Sequence, residues 1–307
     1  MQIYTSRSQI NVKYPRPVVA LGVFDGLHRG HQKIISETVR RAKRVKGTPM
    51  VMTFSPHPVN VLNPKVFCPL IISLPYRLKL IEAMGVKVCW VVSFTRRLAR
   101  QSAEDFIRRY LVRTLSSFEI VVGSDFHFGH DRQATAARLQ TLGPKYGVTV
   151  RCLAVGSPTK SVSSSRIRRD IAEGDLRHAA LLLGRPFAIL GRVVHGDSRG
   201  RTLGYPTANI HLTRQILPPS GVYVVQIILD RKIYRGIANL GHRPSFKKIA
   251  QVNLEVYLFH FRRNLYGRQI LVQFLRKIRD EKVFRSETEL ARQIRLDEKQ
   301  ARRCFER

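Results

Sequence analysis

The chain has 307 residues, 44% of them hydrophobic and 24% charged, which is enough to bury two ordinary cores without disulfides or metals. The 54 Lys+Arg against 21 Asp+Glu give a formal net charge of +33, and the excess is spread evenly: 29 basic and 11 acidic side chains in residues 1–183, 25 and 10 in residues 184–307. That spread excludes a basic tail or one concentrated patch, so the charge reads as a biased solvated surface, with polyanion binding as its rival.

Val18-Val19-Ala20-Leu21 is an apolar run ending in a Gly-rich turn, the pattern of a buried parallel strand. Ile35, Val39 and Ala42 then recur at helical spacing between Lys and Arg, which predicts an amphipathic helix beginning near Gly30. Further strands are predicted at Met50 to Phe54, Val86 to Phe94 and Glu119 to Val122, with helix between them, as at Ala103 to Leu115. Strands alternating with helices mean a parallel α/β sheet. The pattern changes near Leu183-Gly184-Arg185-Pro186. Closely spaced strands follow at Phe187–His195, Val222–Leu229, Lys232–Leu240, Asn253–Phe261 and Gln269–Leu275, which argues an antiparallel barrel or sandwich. The C-terminal segment carries capping-box spacing at Ser286-x-x-Glu289 and Asp297-x-x-Gln300, predicting two short helices or one broken helix. The domain boundary is placed at 183.

Cys68, Cys89, Cys152 and Cys304 form no CxxC pair and no zinc-spaced cluster, so reduced thiols are expected. The N-terminus has no apolar signal core, and the uncharged run Gly47 to Pro64 is broken by prolines. A cytoplasmic location and no membrane partner are expected.

The turn after the first strand reads Gly22-Val23-Phe24-Asp25-Gly26-Leu27-His28-Arg29-Gly30-His31. His28 and His31 are three apart across the first turn of a helix, where orphan N–H groups and the dipole favour an anion. Two imidazoles there can donate to phosphate oxygens. Without that strand–turn–helix setting, two solvent-facing histidines in a Gly-rich loop would be as good a reading.

This segment resembles the GxFDGxHxGH signature of bacterial FAD synthetases, members of the HxGH nucleotidylyltransferase superfamily. Thr53-Phe54-Ser55-Pro56-His57-Pro58, Gly123-Ser124-Asp125-Phe126-His127-Phe128-Gly129 and Ser163-Ser164-Ser165-Arg166-Ile167-Arg168 are similar to further segments of that family, in order, with Ser165 where Thr is usual. The resemblance implies adenylyl transfer from ATP to FMN. His28 and His31 would hold the ATP phosphates, and Gly22, Phe24 and Asp25 would shape the nucleotide loop. Ser164, Ser165 and Arg168 would grip the triphosphate, and Asp125 would contact the adenosine or the flavin. His57 is a further candidate, balanced against a plain proline-punctuated loop.

A second Gly-rich segment, from Gly191 to Asn209, holds Gly196, Asp197, Arg199 and Arg201 and ends in Pro206-Thr207-Ala208-Asn209. Unblocked N–H groups and arginine forks suit phosphates, although a glycine hairpin has the same composition. Thr207 and Asn209 lie two apart in an extended segment and offer oxygen ligands on one face. The segment resembles the riboflavin kinase signature. Gly236 to Phe246 and Glu255 with Leu265-Tyr266-Gly267 look like later segments of the same family, with Ser245 for Thr, Tyr257 for His and His260 for Asp. The resemblance implies Mg²⁺ on Thr207 and Asn209, Gly196 in the phosphate flap, Glu255 as general base toward the ribityl 5′-hydroxyl, and Arg279 on the flavin side.

Taken together, the chain resembles a bifunctional riboflavin kinase/FAD synthetase. That implies an α/β Rossmann-like parallel-sheet nucleotidylyltransferase domain (1–183), then a mainly antiparallel β-barrel with a C-terminal helix (184–307). The implied partners are riboflavin, FMN and ATP, with Mg²⁺ as cofactor. No specific nucleic-acid partner is expected and no oligomeric state is predicted. Two alternatives stand beside this reading. One activity could be lost, starting from the departures at Ser165, Ser245 or Tyr257. The chain could instead be a basic nucleic-acid-binding protein on this scaffold, but it shows no aromatic-interleaved basic stripe.

Overall fold

Val18–Leu21 forms a strand buried along its whole length, as an unbroken apolar run in a central parallel strand requires. The computed structural model describes residues 1–130, 133–154, 162–196, 204–243 and 251–306. Packing divides the chain into two units, Met1–Leu70 with Leu74–Ser164, and Ile71–Ser73 with Ser165–Arg307.

In the first unit the strands are β1 (Gln2–Tyr4), β2 (Val18–Leu21), β3 (Pro49–Ser55), β4 (Val88–Ser93), β5 (Glu119–Gly123), a small hairpin of β6 (His127–Phe128) and β7 (Ala134–Thr135), and β8 (Thr149–Leu153). Six of them pair in parallel in the order β1-β4-β3-β2-β5-β8. From β2 the chain steps to β3 and β4 on one side, then returns to β5 on the other. The loop leaving β2 therefore opens at a topological switch point, where parallel sheets bind ligands. Leu21, Met52, Trp90, Ile107 and Val122 belong to the buried cluster beneath the sheet.

The edge strands β1 and β8 do not announce themselves in the sequence. β1 is three residues long with only Tyr4 buried, and β8 alternates no apolar face because it is half-exposed throughout. The predicted helix at Ala103 to Leu115 is an α turn, Ala103–Phe106, that widens into a π-helix at Ile107–Val112. Glu119 starts a central strand yet is fully buried. Arg41 forks onto it at 2.8–3.0 Å and Arg151 reaches it at 3.2 Å, which satisfies a charge that burial would otherwise penalise.

The second unit is a closed antiparallel barrel, which resolves the barrel-or-sandwich alternative. Its strands are β9 (Phe187–Val194), β10 (Thr207–Ile210), β11 (Gly221–Leu229), β12 (Lys232–Arg243), β13 (Gln251–Leu258) and β14 (Gln269–Arg279), in the order β10-β13-β12-β11-β14-β9. The β9–β10 pairing closes the ring and removes its open edges. The helix Glu287–Phe305 covers Val222, Val224 and Ile237 with Ala301 and Ile294. It is a single helix, correcting the expected break. Ser286 does cap it, accepting from the Glu289 N–H at 3.2 Å. Asp297 lies mid-helix, 2% exposed, and pairs with Arg279 instead of capping. Among the described residues, no helix is long and apolar enough to cross a membrane.

Candidate functional site

The β2 loop is shaped by backbone conformation before any side chain acts. Phe24 and Leu27 hold left-handed φ values of +53° and +43°, costly for residues with a side chain. Both are 1% exposed, so burial holds them there. The Val23 carbonyl between the strand and this turn accepts from Thr53 Oγ1 at 2.8 Å and from the Arg77 guanidinium at 2.6 Å. Gln32 Nε2 donates to the Leu27 carbonyl at 2.8 Å.

His28 ends the loop as N-cap of the helix Arg29–Arg44. Its Nδ1 accepts from the His31 backbone N–H at 3.3 Å, so the ring proton sits on Nε2 in the neutral form. The two imidazoles stack with centroids 3.6 Å apart, and the Phe24 ring meets His31 edge-on at 5.3 Å. Burial, His28 and Arg77, in that order, hold the His31 pKa well below its ordinary value. Its Nδ1 is buried with no hydrogen-bond partner among the described residues. A neutral ring with a buried unpaired nitrogen, at a helix start rich in N–H groups, suits an incoming anion.

Asp25 is 1% exposed, and Ser164 Oγ donates to its carbonyl at 3.0 Å. That contact sets Ser164 against the loop that follows β2. Gly22 continues the sheet, donating to the Met52 carbonyl at 3.2 Å. Ser165 is exposed and Arg168 half-buried on the Ser164–Glu173 helix. Asp125 is exposed in the loop after β5. His57 caps the short helix Pro58–Leu62, accepting from the Val59 N–H at 3.3 Å.

In the barrel, Asn209 on β10 lies directly across from Glu255 on β13. The side chains of Thr207 and Asn209 share a face because Ala208 takes the opposite one. Asn209 is 7% exposed. Gly196 presses its backbone against that carboxamide, and any Cβ at 196 would collide with it. Tyr257, opposite Thr207, meets Tyr205 edge-on at 5.3 Å, and burial raises its pKa. His260 Nε2 lies 3.0 Å from Arg302 on the covering helix. The flap residues Asp197, Arg199 and Arg201 and the Pro244-Ser245-Phe246 segment lie outside the described residues.

Arg279 sits apart from the Asn209–Glu255 pair in its bonding. Its guanidinium forks onto Asp297 at 2.8–3.1 Å and donates to the Asp280 carbonyl at 3.0 Å. In these contacts it anchors the C-terminal helix.

Two residues that sequence reasoning did not single out are central to the geometry. Arg77, 2% exposed, stands behind the β2 loop. Burial lowers its pKa, and the Asp25 charge opposes that shift. Asn253 Nδ2 donates to Asn209 Oδ1 at 3.1 Å and to Glu255 Oε1 at 2.8 Å. The signal for Asn253 was its i, i+2 spacing from Glu255 on one strand face. Arg77 gave none, since an arginine in a short helix reads as a surface residue.

Residues 11–166 match the FAD synthetase family and residues 183–305 match the riboflavin kinase family. A bifunctional riboflavin kinase/FMN adenylyltransferase of Bacillus subtilis (strain 168) is 38% identical over 306 residues, covering 96% of this chain and 95% of its own. One of Escherichia coli (strain K12) is 39% identical over 292 residues, covering 94% and 92%. A crystal structure from Streptococcus pneumoniae, described as a macrolide-efflux protein, superposes with a TM-score of 0.84 at 33% identity, covering 98% of both chains. With both matches falling in order on the parallel-sheet unit and on the barrel, the chain belongs to the bifunctional riboflavin kinase/FMN adenylyltransferase family.

Proposed function

We propose that this chain makes FAD in two steps. The barrel, residues 184–307, phosphorylates riboflavin to FMN with ATP. The α/β domain, residues 1–183, transfers AMP from a second ATP to FMN and releases pyrophosphate. The observation that carries this is the presence, in one chain, of a paired-histidine loop at the sheet's switch point and a paired Asn209–Glu255 site in the barrel.

In adenylyl transfer an FMN phosphate oxygen attacks the α-phosphorus of ATP. The P–O bond to the β-phosphate breaks and pyrophosphate departs. Such chemistry asks the protein for in-line placement and stabilisation of spreading negative charge. His28 and His31 supply donors there, and the αL loop of Phe24 and Asp25 brings backbone close to the nucleotide. Ser164, Ser165 and Arg168 bind the triphosphate, and Gly22 and Asp125 line the nucleotide and flavin side.

In the barrel, Glu255 accepts the proton of the ribityl 5′-hydroxyl as that oxygen attacks the γ-phosphorus, and ADP leaves. Thr207 and Asn209 present hard oxygen donors. Asn209 Oδ1 keeps a second lone pair beside the one taken by Asn253, so the donor set fits Mg²⁺. When bound, Mg²⁺ neutralises charge on the ATP phosphates. Gly196 lets the flap approach those phosphates, and Arg279 faces the flavin side. The free thiols of all four cysteines support a cytoplasmic setting.

The test is a timed product assay of purified protein with riboflavin, ATP and Mg²⁺. FMN should appear first and FAD second. FMN without FAD would remove the adenylylation half of the proposal, and no flavin product would remove both halves.

A further inference from the structure

Glu255 and Asn209 face each other across β10 and β13, and both present oxygen acceptors. An ionised carboxylate set lone pair to lone pair against an amide oxygen is repelled, and both side chains would turn away. The structure places a donor between them. Asn253 lies two residues before Glu255 on β13, on the same strand face, and its cross-strand partner on β12 is Gly241, which contributes no side chain. The Asn253 amide nitrogen has two hydrogens, and both are engaged: one on Asn209 Oδ1 at 3.1 Å, the other on Glu255 Oε1 at 2.8 Å.

We propose that Asn253 is a positioning residue of the phosphoryl-transfer site, fixing the oxygen of Asn209 and the carboxylate of Glu255 in one mutual orientation. The proposal rests on the kinase reading of the barrel. Its physical content is specific. A donor with one hydrogen holds one of the two partners. A donor with none lets the acceptors separate. An aspartate, with the same outline, adds a third acceptor and drives them apart. Asn253 also settles which way the Asn209 amide points, since only its oxygen can accept here. That leaves the second lone pair of the same oxygen for a cation that Thr207 and Asn209 would hold. The same carboxamide fills the space that a Cβ at position 196 would take, which only glycine leaves open.

The test uses the full-length protein with Asn253→Ala, Asn253→Ser and Asn253→Asp, and Glu255→Gln as the control on the underlying reading. Riboflavin phosphorylation should lose about 10- to 100-fold in kcat in Asn253→Ala, the range typical of groups that orient ligating side chains, with a smaller change in KM for riboflavin. Asn253→Ser should fall between wild type and alanine, and Asn253→Asp should be the most impaired. FMN adenylylation by the same molecules should be unchanged, which also reports that they are folded. Calorimetric titration with ADP in the presence and absence of Mg²⁺ gives a readout apart from turnover: the enhancement of ADP affinity by Mg²⁺ should shrink in Asn253→Ala relative to wild type. If Glu255→Gln keeps full kinase activity, the kinase reading of this site fails. If Glu255→Gln abolishes phosphorylation while Asn253→Asp retains wild-type kcat and wild-type Mg²⁺ enhancement, the positioning role is overturned. Lowered thermal stability with unchanged kcat in all three Asn253 variants would overturn it equally, leaving a structural role alone.

Discussion

The rings of His28 and His31 lie stacked, with centroids 3.6 Å apart and planes 19° from parallel. Two imidazolium ions at that separation would repel, and the buried His31 has the further unfavourable charge of Arg77 nearby. His31 is therefore neutral well into the acid range. Its unfolded form takes up a proton near the ordinary histidine value of 6.5, whereas the folded form does not. The stability it contributes is fully present above that pH and is lost as pH falls from there toward the depressed folded value. Urea denaturation from pH 8 to pH 5 should show this decline, and His31→Gln should flatten part of it.

On the role proposed for His31, replacing it by Ala removes one stabilising group for the developing charge. FMN adenylylation should fall by about 10²–10³-fold, the usual effect of deleting such a donor, while riboflavin phosphorylation continues. Separate assays of the two half-reactions on one preparation check both statements. Equal loss of both would show a folding defect instead.

Arg77→Met keeps much of the volume but removes a buried positive charge and the donor to the Val23 carbonyl. The His31 ring should then titrate at higher pH, followed by NMR of the imidazole protons. Adenylylation should fall together with this shift, since the Val23 carbonyl at the entry to the αL turn loses one of its two side-chain donors. An unmoved His31 titration would show that Arg77 does not act on the ring.

Gly196→Ala forces a methyl group into the Asn209 carboxamide. Either the backbone at 196 or the Asn209 side chain must move. Riboflavin phosphorylation should drop by at least about tenfold, comparable to disturbing an orienting contact, and adenylylation should not change. Steady-state rates with riboflavin and with FMN as substrate separate the two.

Asp297→Ala leaves the Arg279 guanidinium, 22% exposed, without its carboxylate. Breaking a buried pair by removing one partner destabilises by about 3–5 kcal/mol, and the partial exposure places this pair at the lower end. Equilibrium urea unfolding of the variant should show a loss of about 3 kcal/mol. If Arg279 faces the flavin as proposed, KM for riboflavin should rise in the same variant.

The sequence revealed elements in proportion to how completely they are buried. β2 was readable at both ends because a central parallel strand is apolar on both faces, and His28 and His31 because the chemistry and the helix start coincide in ten residues. β1 and β8 were silent because edge strands need no apolar alternation. Asp297 misled because D-x-x-Q spacing at a helix start is indistinguishable from the same spacing mid-helix, and only the three-dimensional position of Arg279 decides between them. The pairing of Asn209 with Glu255 joins residues far apart in the chain through strand register, which no local pattern encodes. Arg77 was hidden for the opposite reason, being a charged side chain where burial was not anticipated.

The Val23 carbonyl, held at once by Thr53 and Arg77, has a thermodynamic consequence for the β2 loop. The left-handed turn at Phe24 and Leu27 is buried and held from within the protein itself. Its conformational entropy is surrendered during folding, so a nucleotide bound where we propose would meet a turn whose ordering is met by folding contacts. On that proposal, nucleotide association is relieved of a reorganisation penalty that a slack glycine loop of the same length would impose on every turnover.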